Sequence, residues 1–152
     1  MQETMDRVMQ LIRARYPVLL LATHEEGRTL RGLEGLSDKE GLPIHRWRVT
    51  EGLEGPDGPI ADTNGLEAAL AHLNTVSGPG LFVLLDAHPW WSDEVAVRRL
   101  GVVMRKSQMV RHGVIRSILQ LDDARPFDGH PRRVRAAQKV ALRVLVDRRG
   151  GR

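Results

Sequence analysis

Apolar residues recur along the first hundred positions in two alternating rhythms. Residues 3–15 place Met5, Val8, Met9, Leu11 and Ile12 close to the i, i+3, i+4, i+7 spacing of an amphipathic helix, which Pro17 ends. "VLLLA" (18–22) is wholly apolar, the form of a strand buried on both faces of a parallel sheet. "THEE" then reads as a capping box, with Thr23 as N-cap and Glu26 three residues on. The helix it opens carries a stripe of Leu30, Leu33 and Leu36. Gly27, Gly32 and Gly35 weaken that helix, each by about 1 kcal/mol relative to alanine.

"PIHRWRVT" (43–50) alternates, with Ile44, Arg46 and Arg48 on one side and His45, Trp47 and Val49 on the other, and predicts a strand. Residues 51–65, dense in Gly and Pro, read as loop. Asn64 with Glu67 caps a helix running to Thr75, with Leu66, Ala69, Leu70 and Leu73 inward. "SGPG" turns the chain into a third strand, "LFVLL" (81–85), and Ser92, Asp93 and Glu94 open a further helix. The order α-β-α-β-α-β-α predicts a three-layer α/β fold with a mainly parallel sheet. Ligands of such folds sit at the carboxyl ends of the strands. Beyond Leu100 the pattern loosens: residues 113–121 suit a strand, and 131–147 suit a basic helix containing Val134, Ala137, Ala141 and Leu145. No internal repeat is visible.

Composition narrows the class. A chain of 152 residues is one domain by length, with a core expected from Leu, Val and Ala because aromatics are scarce. It has no cysteine, which removes disulfides, Cys-ligated zinc and thiol catalysis. No apolar run is long enough for a membrane span, and the N-terminus has acids and no apolar signal core, so the expectation is a cytoplasmic protein. The net charge of +4 hides an asymmetry: residues 1–100 carry −5 and residues 101–152 carry +9. A basic half of this kind suggests nucleic acid as a partner.

The candidate chemistry gathers after the third strand. Asp86, directly following "LFVLL", stands where a Walker B acid would orient magnesium. The next residue is Ala87, where a catalytic Glu is usual, and no G-x-x-x-x-G-K-[ST] segment exists anywhere in the chain. "GVVMRKSQ" (101–108) has Lys106 and Ser107 without the second glycine. The turn after the first strand carries Glu25 and Glu26, which satisfy a helix's positive end and repel a triphosphate. Asp86 and His88, two apart, are a candidate metal pair, against the plainer reading of a strand end that pairs locally. The other histidines (24, 45, 72, 112, 130) lack ligand spacing and read as scattered surface groups. Trp90 and Trp91 either anchor an interface or close over the sheet edge, with Trp47 near by. In the tail, Arg132, Arg133, Arg135 and Lys139 fall within about two helical turns, a candidate nucleic-acid surface or simply solvated charge.

Residues 11–100 also resemble a known family. "LIRARYPVLLLATHEEGRTLRGLEGL", "IHRWRVTEGL", "ALAHL" and "GPGLFVLLDAHPWWSDEVAVRRL", in that order and spacing, are similar to the N-terminal domain of a group of AAA-family ATPases of cyanobacteria, other bacteria and algal plastids. The resemblance implies a P-loop-NTPase-like domain without a phosphate loop, ahead of a separate ATPase module. It implies a regulatory or partner-binding role, no catalytic, nucleotide-binding or metal residue in this chain, and no cofactor of its own; ATP and Mg belong to the missing module. Residues 1–100 are therefore expected to be a degenerate P-loop-like domain, truncated before the ATPase module. Residues 101–152 are expected to be a basic tail, frameshifted or remnant. An unknown protein partner or self-association is expected, with no membrane role. The alternatives are a small nucleic-acid-binding protein using the tail and, last, a metal-dependent hydrolase using Asp86 and His88.

Overall fold

In the computed structural model the described residues are 1–14, 16, 18–23, 25–85, 94–95, 98–100, 102, 116–123 and 142–146. They form α1 (Gln2–Arg13), β1 (Val18–Thr23), α2 (Glu26–Glu40), β2 (Ile44–Arg48), β3 (Gly52–Gly55), β4 (Gly58–Ile60), α3 (Leu66–Thr75), β5 (Gly80–Leu85), β6 (Arg116–Asp123) and β7 (Leu142–Val146). The seven strands make one sheet in the order β4-β3-β2-β5-β6-β1-β7. From β2 to β7 every pairing is parallel, and β3 and β4 add an antiparallel edge. This is the expected α/β fold.

The three layers follow from the two-residue period of β5, which is buried along its whole length. Leu81, Val83 and Leu85 join one core with Leu19 and Leu21 of β1, Met5, Val8, Met9, Leu11 and Ile12 of α1, and Leu33 and Leu36 of α2. Phe82 and Leu84 point the other way, into a core with Trp47, Leu53, Leu66, Ala69, Leu70, Leu73 and Leu100. So α1 and α2 cover one face, and α3 covers the other. Each fully buried leucine contributes roughly 1.5–3 kcal/mol, and leucine dominates both cores as composition suggested.

Two of the expected α2 weak points have different surroundings. A Cβ on Gly32 would meet Met5 Sδ at 3.0 Å, so a side chain there would crowd α1. A Cβ on Gly35 would meet nothing within 4 Å. Gly32 is where α1 and α2 come close; Gly35 costs the helix about 1 kcal/mol relative to alanine with no contact inside the described chain to account for it.

Several expectations are corrected. Residues 51–65 are not simply loop: Gly55 and Gly58 pair across a turn at Pro56 and Asp57, making the β3–β4 hairpin. Asn64 does not cap α3; Gly65 is its N-cap, and Asn64 Nδ2 lies 3.5 Å from the Val49 carbonyl. Of the strand expected at 113–121, residues 116–121 lie in β6, and residues 113–115 lie outside the described residues. Of the basic helix expected at 131–147, residues 142–146 are instead β7, paired with β1; residues 131–141 lie outside the described residues.

Candidate functional site

The carboxyl ends of the parallel strands mark where an α/β sheet places its ligands. At the end of β1, Thr23 is buried and still paired to β6, opposite Asp123. Its Oγ1 accepts the Glu25 N–H at 3.0 Å and lies 3.3 Å from Thr29 Oγ1, which donates to it. The ladder holds Thr23 in the strand, so it does not cap α2. The helix starts at Glu26 with Glu25 as N-cap, and the expected capping box is not formed. A phosphate loop needs glycines, free amides and a lysine at this turn. Here there is one short turn closed by a threonine hydroxyl.

The two glutamates that follow have their own cations. Arg28 Nη1 donates to Glu25 at 3.1 Å, one turn on. Arg48, the last residue of β2, donates to Glu26 across the layers and lies 3.7 Å from Glu51. The positive end of α2 is thus covered by carboxylates supplied from within the chain, and each carboxylate is paired.

A second ion-pair group lies below it on the same face of β2. Arg46 donates to Glu34 of α2 and, at 2.9 Å, to Glu54 of β3. The predicted alternation of β2 is observed: Ile44, Arg46 and Arg48 face the α2 side, and His45 and Trp47 face the α3 core. Trp47 lies in the α3-side core, and Trp90 and Trp91, expected near it, lie outside the described residues. Trp47 is fully buried, and its Nε1 donates to the Thr63 carbonyl at 2.9 Å. His45 is also buried, with its ring centroid 5.1 Å from that of Phe82, so it is not a surface histidine; His72 is half-buried.

Sequence reasoning missed Asp122 and Asp123. They end β6, where Ile118, Leu119 and Leu121 come shortly before the acids much as "LFVLL" precedes Asp86. Register places them beside Ala22 and Thr23, at the same edge as Glu25 and Glu26. That resemblance to "LFVLLD" was the available signal.

Asp86, His88, Trp90 and Trp91 lie outside the described residues, as do Arg132, Arg133, Arg135 and Lys139. Among the described residues, no group of three or more His, Asp or Glu is arranged to hold a metal, and no helix is long and apolar enough to cross a membrane.

The comparisons bear on the whole chain. A family model described as the SpoVK-like AAA ATPase, N-terminal domain, matches residues 4–120. The match is wider at both ends than the stretch the motifs marked, and it runs into β6. No curated protein and no solved structure gives a significant match.

Proposed function

Because the chain belongs to the family of SpoVK-like AAA ATPase N-terminal domains, we propose that it is a non-catalytic unit with a regulatory or partner-binding role beside an ATPase module. The observation that carries this reading is the closed N-terminus of α2. Where a phosphate cradle would lie, Glu25 and Glu26 are paired with Arg28 and Arg48. None of the 152 residues supplies a G-x-x-x-x-G-K-[ST] segment. The lack of cysteine suits a reducing, cytoplasmic setting.

The test is ATP turnover by the purified chain. The expected result is no phosphate release above a blank. Steady release that Asp86→Ala abolishes would overturn the reading.

A second reading has its own observation, the +9 charge of residues 101–152. It predicts salt-dependent binding of DNA or RNA that is lost when residues 130–152 are removed.

A further inference from the structure

An elongated groove of about 540 Å³ runs along the outer surface between α1 and α2. Met1, Met5 and Met9 form one wall, and Gly35 lies on the other. We propose that this groove docks an acidic amphipathic helix from a partner protein. The inference rests on the partner-binding reading and names its site.

Shape, floor and charge support one occupant. The lining extends from Met1 to Arg13, the full length of α1, which at 1.5 Å per residue is about 18 Å. That suits three turns of helix better than a compact metabolite. Met1 is half-buried, and Met5 and Met9 show only their edges, so the methionines offer a narrow apolar strip that adapts to a docked stripe. Gly35 leaves an opening that no group within the described chain fills.

Charge then selects the partner. Along this face Arg13 is paired with Glu40 at 3.1 Å, and Asp6 keeps its charge because its donor is the neutral Gln2 amide, so with Arg31 and Lys39 the lining side chains carry a net charge of +1. Arg31 and Lys39 also line the groove, and no carboxylate within salt-bridge distance of either is found among the described residues. They stand eight residues apart on α2, about 12 Å along its axis. A docked helix with two carboxylates seven or eight residues apart meets both.

The experiment uses the full chain as bait for a displayed library of 16-residue peptides. Enriched peptides are then synthesised and titrated against the wild type and two variants. The expected peptides are amphipathic, with acids seven or eight apart. Arg31→Glu combined with Lys39→Glu should weaken them more than tenfold. Gly35→Leu should abolish binding while the unfolding midpoint is kept or raised, because nothing in the free protein obstructs the new side chain. Peptides that bind both variants as well as wild type would overturn the groove and leave the wider partner-binding reading standing. Failure to enrich any peptide would overturn the groove also. A dimer of this chain abolished by Gly35→Leu would put a second copy there and overturn the assignment to a partner protein.

Discussion

Arg48, the last residue of β2, donates to Glu26, the first residue of α2. The bond ties the carboxyl edge of the sheet to the amino end of the helix that follows β1. It closes the position at which α/β sheets with a phosphate loop hold an anion. Both side chains are about one-third exposed, so water weakens the pair, and its effect on stability is about 1 kcal/mol or less. Glu26→Ala should lower the urea unfolding free energy by that amount, and the double change Glu25→Ala, Glu26→Ala by up to about 2 kcal/mol, since both also interact favourably with the positive end of the helix dipole. Neither should gain affinity for a fluorescent ATP analogue, because removing the acids does not supply glycines or a lysine. Micromolar binding by the double variant would mean that the acids alone keep nucleotide out.

The two helix glycines give opposite expectations from one structure. Gly35→Ala should stabilise by about 0.5–1 kcal/mol, since alanine is the better helix former and the site is open. Gly32→Ala gains the same propensity but forces Met5 to shift. Its net effect should be smaller, and Gly32→Val should destabilise. Thermal melts of the three variants check the order. Equal gains at both positions would show that α1 does not pack on Gly32 in solution.

Legibility in the sequence followed the length of the pattern. All five predicted inward residues of α1 are buried, and the alternation in "IHRWR" placed Arg46 and Arg48 opposite His45 and Trp47 correctly. The hairpin was hidden because β3 and β4 have four and three residues, too short to show a period. The density of Gly and Pro in 51–65 read as loop, while Gly52 and Gly58, which take positive φ angles, are the first residues of the two strands. The capping box failed for a different reason: pairing opposite Asp123 holds Thr23 in β1, and a local signal lost to a tertiary one. The segment "LRVLV" satisfied a helical spacing when read with residues upstream, yet its β-branched residues complete the ladder beside β1.

Trp47 offers a direct test of the α3 core. Its indole is fully buried, and it donates to the Thr63 carbonyl. Trp47→Phe should cost about 1–3 kcal/mol, combining lost volume with a carbonyl left unpaired. Trp47→Ala should cost about 3–5 kcal/mol. Chemical denaturation measures both. A loss under 0.5 kcal/mol for the phenylalanine variant would place the ring at the surface and overturn its place in the α3 core.

The division of the chain at residue 100 meets its own test in the sheet. β6 lies between β5 and β1, paired with each along six residues, and the family match also runs past Leu100 to residue 120. A fragment ending at Leu100 therefore loses the strand that joins the two halves of the parallel sheet. With β7 lost as well, it leaves one edge of β5 and both edges of β1 with unpaired amides and carbonyls, open to association. The expected outcome is a fragment 1–100 that aggregates or unfolds without a cooperative transition, and a fragment 1–123 that recovers much of the transition seen for the full chain. Circular dichroism during urea unfolding, with light scattering on the same samples, separates the two. A soluble, cooperatively unfolding 1–100 fragment would make it a domain by itself and leave residues 101–152 as the basic tail that the charge asymmetry first suggested.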